Sequence, residues 1–157
     1  MNDLLTTGVL TSHISRQLLP AYARRYALLI SSVKKYLVPL GVTYPTPPRP
    51  HSKSSHTNSN SLTTSTPNSD ATHPIVGGYF LWLLLPTGIS SKELAKRCLE
   101  QEAVTVSGGE IFEVVGDDTQ QRFDRNLRLC WAWEEEGNLE EGPRRIGRVL
   151  GKMLKDL

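Results

Sequence analysis

NLRLCWAWEEEG, residues 126–137, decides how the chain is read. As a strand, its side chains alternate between two faces. Leu127, Leu129, Trp131 and Trp133 fall on one face, and Asn126, Arg128, Cys130 and Ala132 on the other. One face is a wall of large apolar groups. The other is small or polar with a single cation at its centre, so the stretch predicts a half-buried strand that aims Arg128 away from the core. A cation so placed is ordinarily solvated. Aimed into a closed cleft, it would be a planar fork for a carboxylate or phosphate.

Outward from that strand, the pattern alternates between elements. VGGYFLWLLLP, 76–86, predicts a buried strand entered through two glycines, which permit a tight turn or a close backbone approach. Ser90 with Glu93 fits a capping box opening the helix SKELAKRCLEQE, 91–102. AVTVSGGEIF, 103–112, predicts a short strand and a glycine turn, and Gly116 to Asp118 carries turn signals. The last helix is expected to begin at Pro143, after a loose acidic turn from Asn138, with Ile146, Val149, Leu150, Met153 and Leu157 as its apolar stripe. Acids at its head and bases along its body suit the helix dipole.

Upstream, Ile14, Leu18, Tyr22, Tyr26, Leu29, Val33 and Leu37 recur at steps of three and four and form one helical face. Ser12 or Ser15 is the expected cap, and Pro20 should kink or restart this helix. VPLGVTYP ends it. Residues 46–74 are almost wholly Ser, Thr, Asn, Pro and His, a composition that cannot offset chain entropy by burial and is read as disordered. The order of elements predicts an α+β two-layer fold of the α/β class. A small antiparallel or mixed sheet has helices packed on one face and is preceded by a long amphipathic helix.

With 157 residues the chain has room for one domain with a real core. Its net charge of +2 hides two opposed halves. Residues 1–70 hold seven bases and two acids, the remainder eleven bases and fourteen acids. A basic arm seeking phosphate and two mutually attracting halves explain this equally. The tyrosines of the basic helix lie on its apolar stripe rather than beside the arginines, which argues against nucleic acid.

GYFLWLLLP is about half of what a membrane-spanning helix needs, and no secretory leader pattern opens the chain, so a cytoplasmic protein is expected. Cys98 and Cys130, 32 residues apart, read as two buried thiols. His51, His56 and His73 lie scattered in the polar tract without a cysteine or carboxylate cluster, and no metal is expected there. Triad chemistry lacks a placed histidine. The Ser-x-x-Lys spacings at 31–35 fall on a plain amphipathic helix, and Ser107-Gly108-Gly109 lacks the spacing of a phosphate-cradling loop.

Several motifs occur together in order: His13-Ile14 and Tyr22-Ala23-Arg24-Arg25 in a helix, Gly77-Gly78-Tyr79-Phe80-Leu81-Trp82, the glycine turn before Phe112, then Leu127-Arg128-Leu129. In this the chain resembles the C-terminal small domain of the class I/II, fold type I, pyridoxal-phosphate-dependent aminotransferases. The resemblance covers nearly everything except the polar tract. It divides the chain into an interdomain-type helix at 1–44, an inserted low-complexity tract at 45–74 and the small domain at 75–157.

It further implies that Arg128 is the ligand of the substrate α-carboxylate, and that Gly78 and Gly108 belong to backbone segments approaching the site. Pyridoxal 5'-phosphate is the implied cofactor, an amino acid and a 2-oxo acid the implied substrates, and a homodimer the possible assembly. Neither a nucleic-acid nor a membrane partner is implied. The family's Schiff-base lysine, its pyridine-nitrogen aspartate and its phosphate-binding residues belong to a large domain without counterpart here, and Lys92 has the wrong neighbours for that lysine. The expectation is a fragment of an aminotransferase that is inactive by itself. The alternative is a non-catalytic small domain serving as an interaction module.

Overall fold

The computed structural model describes residues 6–45, 78–114, 116 and 122–157. The polar tract with His51, His56 and His73, Gly77, and the turn residues after Gly116 lie outside them. Among the described residues, those of Met1–Tyr44 and Tyr79–Leu157 pack as one body.

The N-terminal helical stretch begins earlier than its serines predict. Gly8, in a left-handed conformation, precedes α1 (Val9–His13), and the Ser12 N–H donates to the Gly8 carbonyl. Ser15 lies inside the helix, its hydroxyl donating back to the Thr11 carbonyl. One π-helical turn, Ile14–Leu18, follows, closed by the Leu19 N–H on the Ile14 carbonyl. The helix then restarts as α2 (Leu19–Tyr36) with Pro20 in its first turn. The π turn directly before Pro20 is where the helical ladder accommodates a residue without an N–H. Only the second half of the stripe is buried: Leu29, Val33 and Leu37 enter the core, while Ile14 stays exposed.

Three strands form an antiparallel sheet in the order β1 (Phe80–Leu84), β3 (Asn126–Cys130), β2 (Ser107–Gly108). Thr43 bridges to Leu84 on the far side of β1. Between the strands, α3 (Ser91–Glu102) is capped as its sequence predicts, the Ser90 hydroxyl accepting from the Glu93 N–H. The Glu93 carboxylate turns outward to Arg97 instead of completing the box. The helix ends on Ala103 with φ 51°.

Leu81 and Leu83 of β1, with Leu127 and Leu129 of β3, point to one side of the sheet. They are buried there with Leu29, Val33 and Leu37 of α2, Leu94 and Cys98 of α3, and Ile146, Val149 and Leu150 of α4 (Glu136–Lys155). All the helical layer is therefore on one face, as the pattern predicts. Where α2 meets α4, a side chain on Gly147 would stand 3.0 Å from the Tyr36 carbonyl, so the two helices approach through a position without a Cβ.

Further expectations fail: Leu157 of the final apolar stripe lies beyond the helix end and is 76% exposed, and Cys130 is only half-buried. The last helix starts at Glu136, seven residues before Pro143, and Pro143 sits buried inside it. An internal proline costs a helix about 3 kcal/mol. Here the first turns are held by tertiary contacts: Leu139 is buried in the core, Glu136 pairs with Arg24 at 2.7 Å, and Glu140 pairs with Lys35 at 3.1 Å. Those pairs also settle the charge asymmetry, at least in part, as attraction between the basic helix α2 and the acidic head of α4.

Trp133 is likewise no part of the inner wall. Strand β3 ends at Cys130, the chain bends, and Trp133 is 89% exposed. Trp131 stays buried between Tyr22 and Tyr26 of α2 and Tyr79, with ring centroids 5.4–6.0 Å apart in this cluster. Cys98 is fully buried and Cys130 half-buried. No helix among the described residues is long and apolar enough to cross a membrane.

Candidate functional site

Among the described residues, the other side of the sheet carries no α-helix. Trp82, Arg128 and Ser107 stand in register across β1, β3 and β2, and paired residues of antiparallel strands share a face. Phe80 and Cys130 lie on one side of that row, Leu84 and Asn126 on the other. Two more rings come from outside the sheet. Phe112 closes the 3-10 turn Gly109–Phe112, and Phe123 precedes β3. Both meet the Trp82 ring edge-on, at 5.5 and 5.6 Å between centroids.

Arg128 occupies the centre of this aromatic frame. Its guanidinium carbon sits 4.1 Å from the centroid of Phe80 and 4.3 Å from that of Phe112, over the ring face in each case. A cation over an aromatic face is held by the ring quadrupole.

Among the described residues the Arg128 N–H groups form no hydrogen bond and no ion pair. Elsewhere the arginines are matched: Arg24 to Glu136, Arg25 to the Trp131 carbonyl, Arg97 to Glu93, Arg125 to the Leu85 carbonyl, Arg144 and Arg145 to Glu141, and Arg148 to Glu102. Arg16 and Arg122 also lack a partner among the described residues, but they are exposed to water. Arg128 is half-buried. A partly desolvated cation without a counter-charge is costly unless an anion arrives to pair with it.

The surroundings of Arg128 are fixed by local chemistry. The Ser91 hydroxyl, at the first turn of α3, donates to the Glu110 carboxylate at 2.9 Å and accepts from the Gly109 N–H at 3.3 Å. A side chain on Gly109 would fall on the Phe123 carbonyl, so this turn needs glycine to lie against the loop entering β3. The Glu113 carboxylate takes the Phe123 N–H at 2.6 Å. The turn that delivers Phe112 is thereby pinned to a helix start and to a neighbouring loop.

Gly108 is buried, pairs with Leu127, and has no room for a Cβ beside the Glu110 carboxylate. It keeps β2 one residue from Arg128, through packing. Gly78 has φ +77° and open space around its missing Cβ, so the turn into β1 is what requires glycine there.

Because β2 is only two residues long, the chain from Ala103 to Val106 splays away from Leu129 and Cys130. The opening is a cleft of about 500 Å³ whose lining includes Phe80, Val104, Ser107, Arg128, Cys130 and Arg145. Small-ligand sites have volumes of this order, roughly 300–1,000 Å³. Glu134 and Glu141 also line the cleft, the first accepting from the Asn138 amide and the second paired with Arg144 and Arg145. The charge left for an incoming group among the described residues is therefore that of Arg128, which suits an anion. Phe80–Leu84, Ser107–Phe112 and Asn126–Cys130 contain no lysine and no aspartate, and Glu110 is engaged by Ser91. No cluster of three or more His, Cys, Asp or Glu suited to a metal occurs among the described residues.

Phe80 and Phe112 are the site residues that sequence reasoning missed. Alternation along β1 puts Phe80 beside Trp82 on the outer face, a legible signal. The position of Phe112 depends on the fold of the glycine turn and on the Ser91 tether, which no local pattern reveals.

Comparison with known proteins matches this architecture. No protein-family model matches the chain. A 2-aminoadipate transaminase of Thermus thermophilus is 37% identical over 78 residues, half of this chain and 18% of that protein. An uncharacterised protein of Saccharomyces cerevisiae is 24% identical over 149 residues, 95% of this chain and 27% of that one.

Among solved structures, the multiple substrate aminotransferase of Thermococcus profundus superposes with a TM-score of 0.69 at 22% identity, covering 99% of this chain and 30% of its own. The α-aminoadipate aminotransferase of T. thermophilus, complexed with N-(5'-phosphopyridoxyl)-L-leucine, gives 0.63 at 24%, covering 99% and 32%. The chain thus has the fold of the aminotransferase C-terminal domain, as the sequence resemblance implies, and spans less than a third of the length of these relatives.

Proposed function

We propose that this chain supplies the carboxylate-binding end of a pyridoxal-phosphate-dependent aminotransferase site, with Arg128 as the ligand of the α-carboxylate of an amino acid or 2-oxo acid. Residues 1–44 and 75–157 act as the small-domain part of such an enzyme, and 45–74 is an insertion within it. The observation that carries this reading is the half-buried Arg128, which has no hydrogen bond or ion pair among the described residues, on the sheet face opposite the helices. The transaminase relative and the aminotransferase folds support it from outside the chain.

The residues present do not fit the cofactor by themselves. The strands and turn around Arg128 bring no amine for its carbonyl, and their one acid, Glu110, is engaged by the Ser91 hydroxyl. What this chain does is bind and orient. A guanidinium fork pairs both carboxylate oxygens at once, and two parallel hydrogen bonds fix the substrate in direction as well as position. Such positioning is worth much of a reaction barrier when the reacting bond is thereby aligned.

The missing groups then come from a pyridoxal-binding large domain, in another chain or in sequence joined to this one. Alone, the chain carries out no amino transfer. The test is to combine the purified chain with a large domain from a related aminotransferase. Visible absorbance of bound pyridoxal phosphate and amino transfer are then followed. Recovery of both, with turnover lost in Arg128→Ala and in Arg128→Lys, is the expected result. Turnover that survives Arg128→Ala overturns the role of Arg128.

One observation favours a second reading, a non-catalytic interaction module. Phe80 and Leu84 are exposed on the face of β1 that Trp82 shares, with the partly exposed Phe112 against the Trp82 ring, and contiguous apolar surface of this kind marks contact surfaces. Assembly with the large domain but no turnover, whatever residue stands at 128, would favour that reading.

A further inference from the structure

Resting on the carboxylate reading of Arg128, we infer that Phe80 and Phe112 are its positioning residues. The two rings bracket the guanidinium and hold its plane, so that its N–H edge is presented as a preformed fork. Three features carry this. The guanidinium carbon lies over both ring faces at nearly equal distances, 4.1 and 4.3 Å. The rings arrive from independent elements, one from the edge-side position of β1 in register with Cys130, the other from the pinned turn after β2, so each is fixed without the other. Among the described residues no hydrogen bond orients the guanidinium, which leaves the rings as the contacts able to do so.

An arginine on a bare surface samples many rotamers and loses that freedom on binding. Stacking between rings removes the freedom in advance, and the ring faces occupy the directions from which a carboxylate could not make a coplanar pair. The bracket therefore has a readable signature before any ligand is present. Rotation about the Arg128 Nε–Cζ bond is slowed, and the side-chain Cδ protons are shifted upfield by the rings. The opposite arrangement has the rings hide the cation and compete with an anion. It predicts the opposite response to removal of a ring.

The experiment uses the whole chain with isotope-labelled arginine. Nuclear magnetic resonance follows Arg128 alone and during titration with acetate, with chloride as the ionic-strength control. Phe80 is 49% exposed, so Phe80→Leu and Phe80→Tyr leave the core intact, and Phe112→Leu and Phe112→Tyr complete the set.

The expected result is that either leucine variant speeds the Nε–Cζ rotation, reduces the upfield shift and weakens acetate by about fivefold, while either tyrosine variant keeps all three at their wild-type values. Unchanged rotation in the leucine variants overturns the bracket, as does tighter acetate binding. Failure of the underlying reading looks different. Wild-type Arg128 would then show slowed rotation but no response to acetate beyond that to chloride.

Discussion

The two faces of one small sheet have been given opposite tasks. On the inner face Leu81, Leu83, Leu127 and Leu129 disappear beneath three helices. On the outer face, one residue along each strand, Phe80, Trp82 and Arg128 stand open, and Phe112 and Phe123 are brought in from the flanking segments. The inner face is stabilised by burial, at about 25 cal/mol per Å² of apolar surface. The outer face leaves its rings and its cation only partly covered, which contributes less to folding. The difference teaches that the burial which stabilises the fold and the exposure which the proposed binding needs are separated here by residue parity.

Substitutions should divide along that line. Leu127→Ala, at a fully buried position, is expected to destabilise the chain by about 2–5 kcal/mol in equilibrium denaturation. Trp82→Ala removes two edge-on ring contacts from the outer face, each worth about 0.5–1.5 kcal/mol, and should cost distinctly less. Equal losses would break the distinction between the faces.

The cysteines offer a sharper version of the same contrast. Cys98 looks inward from α3, and burial pushes its thiol up to about 12. Cys130 lies half-buried on the outer face, in register with Phe80. A thiol reagent at neutral pH should label Cys130 in the native chain and reach Cys98 only on unfolding, since the thiolate is the reactive form. Simultaneous labelling of both under native conditions would place Cys98 outside the core.

The smallest expected effect concerns α4. Hydrogen bonds from Arg144 and Arg145 hold the Glu141 carboxyl down at about 2, from an ordinary value of 4.5. A carboxyl depressed by folding contributes stability above its unfolded value and loses it as pH falls toward the folded one. The thermal midpoint should therefore decline between about pH 4.5 and 2, and Glu141→Gln should flatten that slope slightly, because exposed pairs contribute little.

Most of this architecture was legible from periodicity. The alternation of Leu127, Arg128 and Leu129 assigned the faces of β3 correctly, and the steps of three and four found the buried half of α2. Pro143 and Trp133 were misread for a shared reason. Their local rules, that proline begins helices and that alternation continues, were overridden by contacts distant in sequence: Leu139 and the Arg24 and Lys35 pairs in one case, and the bend after Cys130 in the other. The arginine of the site could be seen in the sequence. Its bracket could not, because Phe112 reaches Arg128 only through the Ser91–Glu110 tether and a glycine that lies against a carbonyl.

Everything assigned to the outer face turns on whether Arg128 takes a carboxylate. The direct measurement is the thermal midpoint of wild type and Arg128→Ala in acetate and in chloride at equal ionic strength, since a ligand that binds only the folded state raises its stability. Acetate should raise the wild-type midpoint above its chloride value and leave that of Arg128→Ala unmoved. A shift of equal size in both proteins, or in neither, would contradict the assignment.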